Sequence, residues 1–254
     1  MSAEKTVRVD STLSKGLAIL ETLSESRRGI GVSELSRRLE LTKSNTFRLL
    51  QTLATLGYVN QQTDKTYAAS LKGWQVGRSV VENLNLRAVA SDMMSYLANE
   101  TGETIYLAVR DNLQVVYIDK IDSQKPIRSW NPIGGSAPLH CVGTGKAILS
   151  AEYPALRDVI GEHLKGFTER TITDLASLDA AMRESEARGF AVDTGEFREG
   201  VYSIGSAILL PDGSAAGALG VSVPNVNLPD NGVDKLGGLV AHAAQSVTKK
   251  LALL

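Results

Sequence analysis

A short polar segment carries the side-chain types that recognise nucleic acid. Its hydroxyl, amide and cationic groups lie within two helical turns: Thr42, Lys43, Ser44, Asn45, Thr46 and Arg48. An α-helix fits the major groove of DNA, where polar side chains near its N-terminus reach base edges and cations bind phosphates or guanines. The alternative interpretation is the solvated polar face of a small helical bundle.

Three predicted helices and a hairpin would position this segment. Helical periodicity covers residues 13–24, and a second, short helix follows with Ser33 as its N-cap. Thr42 is the expected cap of a third helix that ends near Leu56. Strand-like runs at 58–61 and 66–68 then form a hairpin, which gives a winged helix-turn-helix.

The faces of the third helix separate by polarity. Four apolar side chains are expected to contact the first two helices: Phe47, Leu50, Leu53 and Ala54. Ser33 and Arg37 of the preceding helix and Lys65 of the hairpin are expected to hold the DNA backbone.

Charge is distributed unevenly along the chain. Residues 1–75 carry 11 Lys and Arg against 7 Asp and Glu, a net charge of +4, and the remainder carries −5. A basic end on an acidic chain suits contact with phosphates at that end. The first ten residues lack an apolar signal-peptide core, and no stretch approaches the ~20 apolar residues of a membrane span. We therefore expect a cytoplasmic protein that does not contact a membrane.

A second segment has the chemistry of a carboxylate site. Gly143, Thr144 and Gly145 open a predicted helix, whose first backbone N–H groups lack helical partners and suit an anion. Hydroxyls of Thr144, Ser203 and Ser222 could orient a ligand, and Trp130 offers apolar area. The segment resembles part of a phosphate-binding loop, but His140 and Ala147 replace residues that such a loop requires. Nucleotide binding is thereby excluded.

The rest of the chain alternates strands with helices. A connecting helix is predicted at 71–86 and a longer one to Asn99. Strands are predicted at 104–109, 115–118, 201–210 and 215–223, with the last pair joined by the turn Pro211-Asp212-Gly213. Helical patterns occupy 143–150, 154–164, 174–188 and 231–252. These elements predict an α+β sensor domain with a largely antiparallel sheet.

The sequence resembles the isocitrate lyase regulator (IclR) family over nearly its whole length. In the N-terminal part the resemblance rests on residues 13–20 (LSKGLAIL), 32–36 (VSELS) and the pairs Lys43-Ser44 and Gly57-Tyr58. In the C-terminal part it rests on residues 137–149 (APLHCVGTGKAIL), 188–193 (RGFAVD) and 217–222 (GALGVS). The two halves support the same assignment independently.

The resemblance implies a GAF-like C-terminal domain whose pocket binds small organic acids or aromatic metabolites. Matching positions imply the effector-binding residues Ser129, Trp130, Gly143, Thr144, Asp193, Val201, Ser203 and Ser222. Ser203 stands where many relatives have cysteine, and Gly220 where some have serine. Because glycine would enlarge the cavity, we expect an effector bulkier than glyoxylate or pyruvate, such as an aromatic or sugar acid.

Enzymatic alternatives centre on Cys141, the single cysteine, beside His140. A thiol-dependent reductase on a GAF-like domain is one rival, although no second cysteine is present to resolve an intermediate. We expect Cys141 to be a core residue, Asp193 to orient the ligand and Glu196 to be a solvated side chain. His140, His163 and His242 lack the spacing of metal ligands, so we expect no metal site. We also expect no cofactor and no catalytic site.

The sequence thus predicts a ligand-responsive transcription regulator of a catabolic operon, acting on double-stranded operator DNA. The predicted domains are 1–70 (winged helix-turn-helix), 71–86 (linker helix) and 87–254 (effector-binding domain). Activation or repression, and a homodimer or a dimer of dimers, remain open at this point. A sensor whose helical head binds protein is the second rival.

Overall fold

A computed structural model describes residues 11–26, 28–82 and 86–253 of the chain. These residues divide into two compact units, with the boundary between residues 83 and 84. The part of the predicted linker helix at 83–85 and the first ten residues of the predicted DNA-binding domain lie outside the described residues. None of the helices in the described ranges combines the length and the apolar character that a membrane span requires.

The N-terminal unit contains three helices, a two-stranded hairpin and a fourth helix. Its elements are α1 (Ser11–Ser24), α2 (Val32–Arg38), α3 (Lys43–Thr55), β1 (Val59–Gln61), β2 (Tyr67–Ala69) and α4 (Leu71–Glu82). Strands β1 and β2 pair antiparallel, and Ile30 forms an additional bridge to Tyr67. The winged helix-turn-helix that the sequence predicted is present.

A small apolar core holds this unit together. Its fully or nearly fully buried members are Ile19, Leu23, Ile30, Leu35, Leu49, Leu50, Val59 and Tyr67. Helix α2 begins two residues earlier than predicted, with Gly31 as its N-cap and no side-chain capping bond. The prediction that Ser33 caps α2 is therefore wrong; Ser33 is the second residue of the helix.

The C-terminal unit is an α+β domain built on one sheet. Its elements are α5 (Leu86–Thr101), β3 (Thr104–Asp111), β4 (Gln114–Ile121), β5 (Ser136–Pro138), α6 (Gly143–Ala151), α7 (Tyr153–Gly161), α8 (Leu175–Arg188), β6 (Ala191–Asp193), β7 (Val201–Leu209), β8 (Ala215–Pro224) and α9 (Gly232–Leu251). The six strands follow the order β5-β4-β3-β8-β7-β6, and every neighbouring pair is antiparallel. The fold class predicted from sequence is confirmed, and the short strands β5 and β6 were not foreseen.

Helices cover both faces of the sheet. Helices α5 and α9 pack on one face around Leu86, Leu97 and Val240, whereas α6, α7 and α8 cover the other around Leu139, Ile148 and Leu178. Two local features define the two ends of α8. Asp174 caps α8 by accepting the Ser177 N–H at 2.9 Å, and Gly189, at φ 72°, ends it in the left-handed conformation that favours glycine.

Candidate functional site

The start of α3 is fixed by a side-chain cap and a tight turn. The Thr42 hydroxyl accepts the Asn45 N–H at 3.3 Å, so the predicted cap is confirmed. In the turn from α2, the Leu41 N–H donates to the Ser36 carbonyl at 2.8 Å, and Glu40 has φ 53°. These contacts define where the first turn of α3 leaves the body of the unit.

The first two turns of α3 present polar groups to solvent. Thr42, Lys43, Ser44 and Arg48 are exposed, and Asn45 is half-buried. The Arg48 guanidinium donates to Asn45 Oδ1 at 3.3 Å, which orders the amide beside a cation. Helix geometry keeps these groups within two turns of a positively polarised N-terminus. The surface therefore has the base-edge and phosphate chemistry that a major-groove helix needs.

The predictions for Thr46 and Phe47 are wrong. The Thr46 side chain has 0% exposure, and its hydroxyl donates to the Thr42 carbonyl at 3.0 Å, so it does not face a partner. Phe47 was expected in the core and is 49% exposed. The buried side of α3 is formed instead by Thr46, Leu49 and Leu50, because the apolar face is rotated by one residue from the predicted one.

The predicted backbone contacts lie on α2 and on the hairpin. Ser33 and Arg37 are exposed and stand four residues apart, so they share one face of α2. Lys65 is exposed in the hairpin turn at φ 66°, where its N–H donates to the Gln62 carbonyl. Their roles toward DNA stay predictions, and their exposure is compatible with those roles.

The C-terminal unit contains a small cavity between the sheet and the start of α6. Its free volume is about 30 Å³. Six of the eight predicted effector-binding residues line it: Ser129, Thr144, Asp193, Val201, Ser203 and Ser222. These six residues come from the segment after β4, the start of α6, the end of β6 and strands β7 and β8, and they are up to 93 positions apart in sequence.

Asp193 is the central acid of the cavity, and its oxygens are fully engaged. Oδ1 accepts the N–H groups of Gly195 and Glu196 at 2.9 and 2.6 Å, and Oδ2 accepts the Ser203 hydroxyl at 2.8 Å. Burial raises the pKa of the Asp193 carboxyl, while these hydrogen bonds oppose the rise. Asp193 thus holds the loop after β6 and the Ser203 side chain in place.

Gly143 and Trp130 do not line the cavity. The Gly143 N–H, predicted to be free for a carboxylate, donates to the Ser203 Oγ at 2.8 Å. A Cβ on Gly143 would lie 2.6 Å from the Ser203 carbonyl oxygen, so glycine there permits close packing of α6 on β7. Trp130 is 54% exposed, with the Lys120 ammonium 5.2 Å from its ring. Neither residue lines the cavity, and their roles as ligand contacts stay predictions.

Gly220 does not enlarge the cavity as expected. A Cβ at this position would lie 2.5 Å from Cγ2 of Thr144. The space that glycine leaves is therefore occupied by the Thr144 methyl group, because α6 approaches the sheet closely. Ligand sites for small molecules are typically several hundred Å³, so the observed cavity must open to admit any organic acid.

Sequence reasoning missed several lining residues, among them two tyrosines and an arginine. Tyr106 and Tyr117 lie on β3 and β4 with ring centroids 4.7 Å apart, and burial raises the pKa of both hydroxyls. Arg198, in the loop after β6, also lines the cavity. Strand alternation could have placed the tyrosines on the face that carries Thr104, but nothing local showed that α6 covers that face.

A buried ion pair lies just behind the cavity. Lys146 and Glu196 are 3% and 4% exposed, and Lys146 Nζ lies 2.5 Å from Glu196 Oε1 and 2.9 Å from the Val192 carbonyl. The expectation of a solvated Glu196 is wrong. Burial raises the pKa of the Glu196 carboxyl, and Lys146 opposes that rise. The pair connects α6 to the loop that Asp193 organises.

Cys141 and His140 lie in a 3₁₀ turn at Leu139–Cys141, not in a strand. Cys141 is fully buried, as expected, and burial raises the pKa of its thiol. His140 Nε2 bonds with the Lys165 carbonyl at 3.0 Å, and burial lowers the pKa of its imidazole. A buried thiol with a raised pKa is a poor nucleophile. Within the described ranges, no three acidic, histidine or cysteine side chains are grouped for a metal ion.

The N-terminal unit is a winged helix-turn-helix with an exposed polar reading helix, and the C-terminal unit is an α+β domain with a small cavity lined by polar, aromatic and aliphatic side chains. This combination is typical of a class of DNA-binding transcription regulators. The family model described as the IclR helix-turn-helix domain matches residues 12–63, and the model described as the bacterial transcriptional regulator IclR C-terminal domain matches residues 78–249. The chain belongs to the IclR family of transcriptional regulators, and the resemblance noted in the sequence is confirmed.

Characterised relatives span the length of the chain. The transcriptional regulator KdgR of Escherichia coli K12 is 31% identical over 244 residues, covering 95% of this chain and 92% of that protein. The transcriptional repressor AllR of the same strain is 32% identical over 251 residues, covering 95% and 90%. The acetate operon repressor of Salmonella typhimurium LT2 is 31% identical over 242 residues, covering 93% and 88%.

Solved structures share the fold. The IclR protein of Thermotoga maritima superposes with a TM-score of 0.80 at 26% identity, covering 95% of this chain and 98% of that one. An IclR homologue of Microbacterium hydrocarbonoxydans, crystallised with 4-hydroxybenzoate, gives a TM-score of 0.81 at 21% identity, covering 96% and 100%. At that identity the second comparison supports the fold alone.

Proposed function

We propose that this protein is a cytoplasmic, effector-responsive regulator that binds operator DNA through α3 and a small organic acid in the cavity of its C-terminal unit. The observation that carries the proposal is the division of α3: its first two turns expose Lys43, Ser44 and Arg48, while its opposite side is buried. Effector binding shifts the C-terminal unit between states that space two DNA-reading heads differently, in a homodimer or a dimer of dimers.

The names of the relatives support repression of a catabolic operon as the mode of action. AllR and the acetate operon protein are both named repressors. We propose an organic acid as the effector class because the cavity lining combines the Arg198 cation with the hydroxyl-bearing residues Thr144 and Ser222. The closed cavity of about 30 Å³ does not favour a bulky acid over a small one, because either requires opening.

The DNA-binding half is tested on an operator selected from a random DNA pool by the wild-type protein. The Lys43→Ala/Arg48→Ala variant removes two exposed cations from α3, and Lys235→Ala/Lys249→Ala removes two exposed cations from α9 as a matched control. We expect the first to weaken binding by at least tenfold and to reduce the salt slope by about two, and the second to bind as wild type. Equal affinities for all three proteins would contradict the role of α3 and favour a protein-binding head.

The effector-binding half is tested by a thermal-shift screen of organic acids on the full chain. An acid at 100-fold its dissociation constant stabilises the folded state by about 2.7 kcal/mol. We expect Ser222→Ala, which alters the cavity wall, to reduce the shift, and Ser246→Ala on α9 to leave it unchanged. A hit whose shift is the same in Ser222→Ala would place its site elsewhere.

The rival thiol-dependent enzyme is disfavoured by the burial of Cys141, whose hydrogen-bond contact is the Pro138 carbonyl at 3.8 Å. Cys141→Ser is expected to retain operator binding and the response to the effector. Loss of the response in that variant, with the fold intact, would favour chemistry at the thiol.

A further inference from the structure

Arg198 is the cationic residue among those that line the cavity. It lies in the loop between β6 and β7, its side chain is exposed, and its Nη1 donates to the Trp130 carbonyl at 3.0 Å. The guanidinium carbon also lies 5.6 Å from the centroid of the Phe197 ring, and Phe197 lines the cavity too. The cavity wall therefore carries a planar cation that is held by a neutral acceptor.

The carboxylate of the cavity, its nearest hydroxyl and the first N–H of α6 are already engaged with one another or with the adjoining loop. Asp193 receives three hydrogen bonds from Gly195, Glu196 and Ser203, and the Gly143 N–H at the start of α6 is donated to Ser203. The helix N-terminus is thus closed off by β7. A carboxylate that enters the cavity needs a cationic donor, and Arg198 supplies one.

The segment 122–135, which contains neither helix nor strand, contributes Ser129 and Asn131 to the cavity wall. Four hydrogen bonds to other parts of the domain hold its middle, and in one of them Asn227 Nδ2 donates to the Ile127 carbonyl at 2.9 Å. The Thr104 hydroxyl donates to the Ser129 carbonyl at 3.1 Å, the Asn131 N–H donates to the Tyr106 hydroxyl at 2.8 Å, and Arg198 donates to the Trp130 carbonyl. Each of the bonds at Ser129, Trp130 and Asn131 involves a residue that lines the cavity.

We propose that Arg198 binds the carboxylate of the effector and, in doing so, releases the Trp130 carbonyl and with it the segment 122–135. This inference rests on the proposed function of the cavity. A guanidinium binds a carboxylate through two parallel, charge-assisted hydrogen bonds, which are stronger than one bond to a neutral carbonyl. The exchange favours acids over neutral molecules of the same shape, and it opens a cavity that is otherwise about 30 Å³.

The test compares acids with their neutral amides on the full-length protein. The probes are pyruvate and pyruvamide, lactate and lactamide, and 4-hydroxybenzoate and 4-hydroxybenzamide, assayed by titration calorimetry. The variants are Arg198→Gln and the matched control Arg128→Gln. Arg128 is an exposed arginine of the segment 122–135 that donates to the Lys125 carbonyl at 3.4 Å and does not line the cavity.

We expect at least one acid to bind wild type and Arg128→Gln with the same affinity. Its amide should bind these two proteins at least tenfold more weakly, and Arg198→Gln should bind the acid about tenfold or more weakly than wild type does. The chain has two tryptophans, so a Trp74→Phe background isolates Trp130. We expect the acid to change Trp130 emission in that background and to leave it unchanged when Arg198→Gln is added.

Each of the following results would overturn the inference or one part of it. If the acid and its amide bind equally, or Arg198→Gln keeps the acid affinity while Ser222→Ala weakens it, the cavity is an effector site but Arg198 is not its anchor. If no probe binds wild type, both the role of Arg198 and the organic-acid effector are contradicted. An acid that needs Arg198 but leaves Trp130 emission unchanged would overturn the release of the segment.

Discussion

Removing Lys146 tests how the buried ion pair supports the cavity. Lys146→Met keeps the volume of the side chain and leaves the Glu196 carboxylate 4% exposed, without its cation. Breaking one partner of a buried pair typically costs about 3–5 kcal/mol, which for a domain of this size lowers the melting temperature by about 10 °C. The double variant Lys146→Met/Glu196→Met removes both charges, and we expect it to recover most of that cost.

The cost of Lys146→Met should depend on pH in a defined direction. Burial already raises the pKa of Glu196 above its ordinary value of 4.5, and loss of the opposing Lys146 raises it further. A carboxyl with a raised folded-state pKa stabilises the fold fully below its unfolded-state pKa and loses that contribution as pH rises through the folded-state value. The variant should therefore be closest to wild type near pH 4.5 and furthest at neutral pH.

Thermal and urea unfolding of the three proteins between those pH values measures both effects. The reasoning would be refuted if Lys146→Met cost less than about 1 kcal/mol at neutral pH, or if adding Glu196→Met recovered nothing. A cost that grew as the pH fell would refute the assigned direction.

Three further predictions follow from the packing of single residues. Gly220→Ala should destabilise the protein by about 1–3 kcal/mol in urea unfolding, because the added Cβ would lie 2.5 Å from the Thr144 methyl. Adding Thr144→Ser removes that methyl and should recover part of the lost stability. No recovery would contradict the contact. In a mobility-shift assay, Thr46→Val should keep the operator affinity and Ser44→Ala should weaken it, because Thr46 is buried and Ser44 is exposed. If Thr46→Val weakened operator binding and Ser44→Ala did not, Thr46 would belong to the DNA interface. Cys141 should resist a thiol-labelling reagent at pH 8 in the native protein and react with it in urea, because burial shields the thiol and raises its pKa. Rapid labelling of the native protein would contradict the position of Cys141 in the core.

The fold was largely predictable because periodicity is a local signal. The cap at Thr42, the hairpin after α3 and the β7–β8 turn depend on residues adjacent in the chain. The prediction of which α3 side chains are buried was less accurate. Thr46 and Phe47 are neighbours, and a rotation of the helix by one residue buries one in place of the other while the sequence stays compatible with either arrangement. Only the position of the preceding helices decides which of the two is covered.

The sequence by itself determined the class of the protein: a polar helix start in a basic N-terminal unit, followed by an α+β chain in which glycines occupy the first turn of α6. The tertiary structure decided which groups are free to bind. Gly143 and Gly220 permit α6 to approach the sheet so closely that the helix N-terminus and the expected extra volume are both filled. Arg198 and the two tyrosines reach the same cavity because strands distant in sequence are neighbours in the sheet, and that proximity is set by long-range pairing which no local pattern encodes.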